Sequence, residues 1–460
     1  MSTIQQILSQ ATGGLNAGQT VVANASRNIA NVNTPGYAHE IVPLSAQYGG
    51  LGVLAGTPVA IRSALLERSL ATTQGRLGFH QSQLTHLSAA EQATNDLDGI
   101  GIGPSLRDFE QALSAASANP SSLNERTQVL QSANLLGSTF ASTRTQLVEA
   151  RDGAAATAQA VATSVNAITS EIAALNGRIR SARPGDESNS LISRRSDLIS
   201  QLSGMVGIDV LSRGDGTVHI STTGGRPLVE STFPTAIQVV VAQPPQQQMS
   251  FSFVRSDGQV LEGKTALGGE LGGLMESYNE SLAPAVKRLD EIAYHMMEAF
   301  NIQHQSGYNL NGGTGFSFFE LPASVDGAAG LMNLSNDVAG HPENVAGALD
   351  PTGVPGDNAN FQLLTDLFAQ SGVLPDGSSV NLAWEKLGSD VTTAYLRATS
   401  GATLEQSSVD QLQNLLASET GVSIDEELQR IAAANTAIDA ASTVIQSVQE
   451  MTTTILNLVQ

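Results

Sequence analysis

Metal binding is the first chemistry that the side-chain types of this sequence suggest. Seven histidines are present, and two pairs lie near each other along the chain, His80 with His86 and His295 with His304. Two imidazoles on one helix bind a common metal ion when they occupy positions i and i+4, and neither pair has this spacing. Cysteine is absent, so no thiolate ligand is available. The sequence therefore predicts no metal site.

Phosphate binding and acid–base catalysis also have candidate residues. The glycines of GIGIGP (residues 99–104) follow no predicted strand and are interrupted by Pro104, so they predict a turn rather than a dinucleotide site. Asp425, Glu426 and Glu427 are adjacent and diverge around a helix, where they favour the positive end of its dipole. The motifs GxSxG and GxxxxGK[ST] are both missing. We therefore predict no catalytic residue, no cofactor and no enzyme.

The net charge and the residue composition exclude several classes of binding partner. A net charge of −21 without a compensating Lys/Arg cluster argues against nucleic acid and anionic membrane surfaces. No apolar run approaches the roughly 18 residues that span a bilayer, and the N-terminus lacks the basic and apolar regions of a secretory signal. Aromatic residues make up only 4% of the 460 residues, which is atypical of a small-molecule pocket. We expect a soluble protein of roughly three domains.

Residues 1–40 predict one long helix that ends abruptly. Apolar and small residues alternate three and four apart from Ile4 to Val32, which is a heptad pattern. The following Thr34-Pro35-Gly36-Tyr37 predicts a type II turn, because proline fixes φ at its second position and glycine accepts positive φ at its third. The helix has no charged side chain before Arg27 and needs a partner to cover its apolar face.

A second weakly charged helix is predicted from Gly421, with Ser423 and Glu426 spaced as a capping box. Two such helices at the ends of the chain are expected to pair, and their surplus uncharged surface suggests that many copies pack side by side. An ordinary two-helix core with frayed ends is the alternative that these residues leave open. The predicted assembly seam consists of Ile4, Leu8, Leu15, Val22, Ile29, Ile424, Leu428, Ile431, Ile438, Val444, Val448, Met451, Ile455 and Leu458.

The predicted fold class is mainly α with an inserted β domain, in an elongated multidomain chain with paired terminal helices. A period of two over residues 206–263 predicts strands separated by GDG, TGG and SDG turns. Heptad spacing from Ala154 to Ile179 predicts another long helix. The predicted domains are a terminal helix pair (1–40 with 421–460), a long-helix bundle with an irregular loop or hairpin insert at 307–358 (41–205 with 264–420), and the small β domain (206–263).

Four stretches resemble the flagellar axial protein family. NIANVNTPGY (residues 28–37) is similar to the motif shared by its rod, hook and hook-associated members, and carries the motif residues Asn31, Asn33, Thr34, Pro35, Gly36 and Tyr37. The other three stretches are similar, in type and order, to the hook-associated proteins at the junction of hook and filament, and rod and hook proteins do not share them. They are residues 191–210, 268–312 and 421–446.

The resemblance implies a structural subunit of the bacterial flagellum. Its terminal helices would pair as a coiled coil in the innermost layer of a tube, in a ring of identical subunits with hook protein below and the next hook-associated junction protein above. It also implies extracellular location, export by the flagellar type III system without a cleaved signal peptide, and a chaperone that holds the C-terminal helix. A hook or distal-rod subunit is the alternative.

Two further expectations concern parts of the chain. Longer members of the family carry an outer β domain after the region that matches residues 301–307, and only residues 316–358 occupy that place here. We expect the outer domain to be missing or vestigial. Because the terminal helices have few charges and depend on a partner, we also predict that they are disordered in the monomer.

Overall fold

The computed structural model describes residues 3–34, 36–47, 52–96, 99–182, 186–243, 247–261 and 267–459. Long helices dominate, and an antiparallel sheet is inserted among them, so the predicted fold class is confirmed. The helices are α1 (Thr3–Ala30), α2 (Ala64–Thr94), α3 (Ile102–Ala118), α4 (Leu123–Ser181), α5 (Asp186–Met205), α6 (Gly269–Glu276), α7 (Ala283–Ser306), α8 (Ala359–Asp366), α9 (Val380–Thr420) and α10 (Ile424–Val459).

The helix α4 is the axis of the body. Its 59 residues span about 88 Å at roughly 1.5 Å per residue, more than twice the length that the heptad pattern alone predicts. Ala154, Val165 and Ile172 of that pattern are fully buried. The helices α2, α3, α5, α6 and α7 all pack against α4. One long helix therefore provides the surface against which the core of the body packs.

Six strands form the inserted sheet in the order β10-β9-β8-β7-β6-β5, every neighbouring pair antiparallel. One face of the sheet packs on α4, and two asparagine side chains form hydrogen bonds to its strands. Asn166 of α4 donates to the carbonyl of Ile237 and accepts from its amide, and Asn279 makes the same paired contact with Met249. The strands are β5 (Ile208–Ser212), β6 (Val218–Thr222), β7 (Pro227–Glu230), β8 (Phe233–Val241), β9 (Met249–Arg255) and β10 (Val260–Leu261).

Between α1 and α2 the chain forms two small ladders that sequence analysis did not predict. The strand β1 (Glu40–Ile41) pairs with β4 (Val59–Ala60), and β2 (Leu44–Ala46) pairs with β3 (Val53–Ala55). These ladders connect the terminal helix to the body.

Residues 307–358 fold back onto the body instead of projecting from it. They contain turns, two short 3₁₀ segments and isolated bridges such as Phe319 with Leu334, and no strand of a sheet. Phe318 and Phe319 are buried and pack against Phe109 and Phe300, which in turn contact Phe368, with ring centroids 4.7 to 6.3 Å apart. The irregular insert thus contributes to the core, and the segment 316–358 holds none of the strands of an outer β domain.

Candidate functional site at the terminal helices

The helices α1 and α10 lie side by side in antiparallel directions. A Cβ atom on Gly14 would lie 3.9 Å from that of Ala441, and one on Gly18 would lie 2.7 Å from the side chain of Ile438. The pairing of the terminal helices, predicted as part of the fold class, is confirmed. Such close approach requires small residues, and the buried apolar positions of the pair are Ala11, Ala17, Ala25, Ala434, Ala441 and Val448.

The larger seam residues lie at the edges of this contact. Of the predicted seam, only Val448 is buried, with 4% of its surface exposed. Half-buried members are Ile4, Leu15, Val22, Ile29, Ile431 and Ile438. Exposed members are Leu8, Ile424, Leu428, Val444, Met451 and Ile455. The side chain of Leu458 is outside the described residues.

The residues of the heptad pattern therefore lie on two surfaces, the contact between α1 and α10 and the solvent-exposed side of the pair. Small residues are buried where the two terminal helices of the same chain meet, Ile438 packs against Gly18, and the other described large residues of the seam except Val448 are half-buried or exposed. Leu428 is 53% exposed and Ile455 is 49% exposed. A row of large apolar side chains is thus left uncovered along α10, together with Leu8 of α1, which is typical of a protein–protein interaction site.

A polar cluster, which we name the latch, closes the base of the pair. It consists of Asn28, His39 and Glu427, which are 0%, 7% and 1% exposed. The Glu427 carboxylate lies 2.9 Å from His39 Nε2 and 3.0 Å from Asn28 Nδ2. Since a carboxylate only accepts hydrogen bonds, both nitrogens donate to it. Arg430 adds an ion pair to the same carboxylate at 3.3 Å.

Asn28, the first residue of NIANVNTPGY, also organises the chain that follows α1. Its amide oxygen accepts from the Tyr37 hydroxyl at 2.7 Å and from the backbone amide of Glu40 at 3.1 Å. Its nitrogen also donates to the Glu40 carbonyl, and Asn24 adds a second donor there. One buried asparagine therefore links α1, the residues after the turn and α10.

The turn itself has the predicted geometry where it is described. Gly36 has φ of +73°, and the Tyr37 amide donates to the Thr34 carbonyl at 3.2 Å, as a type II turn requires. Asn31 accepts from the Thr34 hydroxyl, and Asn33 is exposed; Pro35 is outside the described residues. A Cβ on Gly36 would approach the Ser193 carbonyl to 2.8 Å, so the turn packs closely on α5.

The histidines of the second pair, His295 and His304, form hydrogen bonds within the fold. His304 is fully buried and lies between the Phe316 carbonyl, at 2.8 Å from Nδ1, and the Ala346 amide, at 2.9 Å from Nε2. Burial lowers its pKa to about 4, so the ring is neutral, with the proton on Nδ1. His295 contacts Glu298. Within the described residues, no group of three His, Asp or Glu side chains is arranged to hold a metal ion.

His86 lies in a cavity of about 300 Å³ that Glu270 also lines. Its Nε2 is 3.3 Å from the Thr157 hydroxyl. Burial lowers the pKa of His86 and raises the pKa of Glu270, so burial favours the neutral form of both.

The remaining candidates are also structural. Gly101 and Gly103 lie at the start of α3 beside the Asp96 carboxylate, which accepts from the Gly103 amide and from the Trp384 indole at 2.7 Å. Asp425 and Glu426 are exposed in the first turn of α10, as expected of dipole-stabilising carboxylates. Glu427 differs, because it is buried in the latch. Sequence reasoning missed this role, for which the only available signal was its heptad spacing to Ala434.

Comparison with known proteins places these features in a class. Residues 87–319, just over half of the chain, match the family model described as "Flagellar hook-associated protein FlgK helical domain". The class is that of structural flagellar proteins associated with the hook. The chain belongs to the flagellar hook-associated protein FlgK family, which is a structural family and not a family of enzymes.

Individual relatives share this description. Flagellar hook-associated protein 1 of Bacillus subtilis is 24% identical over 98% of this chain and 97% of its own length. Its Escherichia coli namesake is 25% identical over 73% of this chain, and the match spans only 63% of that relative. The structure of the flagellar hook junction protein FlgK from Burkholderia pseudomallei covers 76% of this chain at a TM-score of 0.64 and 14% identity, and 99% of that chain is covered. The fold is therefore shared.

Within the described residues, no helix combines the length and the apolar character that crossing a bilayer requires.

Proposed function

We propose that this chain forms the junction ring that connects hook to filament, held together by packing of its terminal helices against those of neighbouring copies. The observation that carries the proposal is the row of large apolar side chains left exposed along α10, including Leu428 and Ile455, together with Leu8 of α1. Each apolar side chain buried on assembly contributes roughly 25 cal/mol per Å² of covered surface. A ring covers this row on every subunit at once.

The charge pattern supports contact between identical surfaces. Before Arg27, α1 has no charged residue, and after Arg430 only Asp439 and Glu450 are charged in α10. A chain with a net charge of −21 would repel its copies if those charges lay at the contact. The pair instead presents uncharged and apolar side chains, so identical helices pack without like-charge repulsion.

The proposed partners are those that the family resemblance implies. Hook protein lies below the ring and the next hook-associated junction protein above it. Export is by the flagellar type III pathway without a cleaved signal peptide. Before assembly a chaperone covers α10, whose exposed Met451 and Leu456 give it an apolar surface to bind. The assembled protein is extracellular, as part of the flagellum.

A hook or distal-rod subunit is the second candidate, and the turn motif of residues 31–37 favours it as much as the first. The match over residues 87–319 supports the junction assignment, because this range contains two of the stretches that resemble hook-associated proteins, residues 191–210 and 268–312.

Deletion of the chain from its source cell tests the proposal. We expect hooks without filaments by electron microscopy, together with filament protein shed into the medium, and restoration by the parent sequence. Missing hooks would support the second candidate, and unchanged flagella would contradict both.

A further inference from the structure

The latch connects three separate segments of the chain at a position where the helix pair meets the body. Asn28 ends the buried face of α1, His39 follows the turn, and Glu427 lies in the first turn of α10. The His39 amide donates to the carbonyl of Thr420, the last residue of α9, and its carbonyl accepts from the Ile61 amide. The latch is therefore anchored to the body through backbone contacts.

The fully buried apolar part of the contact between α1 and α10 is made mostly by small side chains. Ala11, Ala25, Ala434 and Ala441 are its buried apolar residues on the two sides, with only Val448 larger among those of α10. Alanine covers much less apolar surface than leucine or isoleucine, and burial energy scales with the area covered. Ile438 packs against Gly18, and the other described large side chains of the seam except Val448 are only half-buried or exposed. Apolar packing within one chain is consequently limited.

We propose that the latch positions α10, so that the terminal helices pair only when the segment from Asn28 to His39 has folded. The buried Glu427 carboxylate is stable only with its donors in place, since an unpaired buried charge is strongly unfavourable. Two of those donors, Asn28 and His39, lie outside α10 and are brought together by the turn. Glu427 is a positioning residue that makes docking of α10 conditional on the N-terminal turn. This inference concerns the single chain, in which α1 and α10 are paired helices, so it departs from the expectation that both are disordered in the monomer. It does not depend on which ring the protein forms.

The chain offers a direct reporter of pairing far from the latch. Gly14 and Ala441 have Cβ positions 3.9 Å apart, within the roughly 3.5 to 4.5 Å of a disulfide. The protein has no cysteine, so Gly14→Cys with Ala441→Cys forms the only possible intramolecular disulfide. The reporter lies about 21 Å along α1 from Asn28, at roughly 1.5 Å per residue, so the latch substitutions do not touch it.

The experiment measures the rate of disulfide formation in the full-length monomer under dilute oxidant. Glu427→Leu and, separately, His39→Ala remove latch members from two different elements. Glu426→Leu is the matched control, because Glu426 is exposed one residue away in the same helical turn. Trp384, which is 3% exposed in the body, reports by its fluorescence that the body remains folded.

We expect Glu427→Leu and His39→Ala to slow disulfide formation at least roughly tenfold, with Trp384 fluorescence unchanged and the Glu426→Leu control equal to the parent. Unchanged rates in both latch variants would overturn the proposal, because small-residue packing would then suffice. Loss of the Trp384 signal in both variants would also overturn it, because the latch would then hold the body and not the pair.

Discussion

The helical body and the terminal helix pair use their apolar residues in opposite ways. In the body the large side chains face inward: Phe109, Phe300 and Phe318 are fully buried and in mutual contact. In the pair the buried residues are mostly alanines, and Leu8, Leu428 and Ile455 are 37%, 53% and 49% exposed. The body completes its core within one chain, whereas the pair leaves most of its apolar surface for other molecules.

This difference explains how one chain combines a stable unit with an assembly element. Large side chains packed inside one chain contribute to its folding free energy, and the same side chains exposed contribute only when a partner covers them. The following predictions test the comparison, from the largest expected change in the free energy of unfolding of the monomer to the smallest.

Truncation of the aromatic cluster should have the largest effect. Phe109→Ala removes a ring that packs against Phe300, Phe318 and Phe368, with centroids 5.4 to 6.0 Å away. We expect the free energy of unfolding to fall by about 3–5 kcal/mol. Urea denaturation followed by Trp384 fluorescence measures the change. Phe233→Ala is the matched control, because that ring is 64% exposed on the sheet and should cost under about 1 kcal/mol. Equal losses in the two variants would contradict the placement of the core.

Acidification should destabilise the body through His304. Its pKa is about 4 when folded and 6.5 in its ordinary state. The unfolded chain therefore binds a proton below pH 6.5 that the folded chain does not take up until about pH 4. Stability is lost as the pH falls through this window, by at most roughly 3 kcal/mol from this residue.

The substitution His304→Gln isolates that contribution. Unfolding free energies of parent and variant are compared at pH 7 and pH 4.5, so that all other titrating groups cancel in the difference. We expect a smaller loss on acidification in the variant. An identical loss in both would show that His304 is not the buried neutral group described here.

Loosening the sheet should have an intermediate effect. Asn166→Ala removes both hydrogen bonds to Ile237, which is 1% exposed, and should lower the free energy of unfolding by about 1–2 kcal/mol. Thr163→Ala, one turn earlier on the exposed side of α4, is the control and should change it by under about 0.5 kcal/mol. Amide hydrogen exchange in β8 should accelerate in Asn166→Ala alone, and equal exchange in parent and variant would contradict the fastening role.

Periodicity made much of this fold predictable. Four strands of the sheet and the principal helices have repeating apolar patterns that appear in the sequence alone. The strands Pro227–Glu230 and Val260–Leu261, and the two-residue strands beside the turn, are too short to carry such a pattern. The segment 307–358 was predicted as irregular, yet its Phe318 and Phe319 enter the core through contacts distant in sequence.

The candidate site was predictable only in part. Heptad spacing predicts one seam along each terminal helix, but it cannot tell which position in each repeat meets the same chain. That is decided by the close approach of α10 at Gly14 and Gly18, where Ala441 and Ile438 face α1. The latch could not be predicted, because Glu427 has the sequence context of an ordinary first-turn carboxylate. Its burial arises from Asn28 and His39, which only the fold brings near.

The most direct test of the account replaces exposed seam residues by aspartate. In the monomer, Ile455→Asp should change the free energy of unfolding by under about 0.5 kcal/mol, because its side chain is 49% exposed, and Leu8→Asp should have a somewhat larger effect, because Leu8 is 37% exposed. In the source cell the same substitutions should prevent incorporation into the flagellum, because burial of an unpaired carboxylate between subunits costs several kcal/mol. The half-buried Val22→Asp should also block incorporation, with a larger effect on the monomer. Normal incorporation of Leu8→Asp and Ile455→Asp would contradict the account.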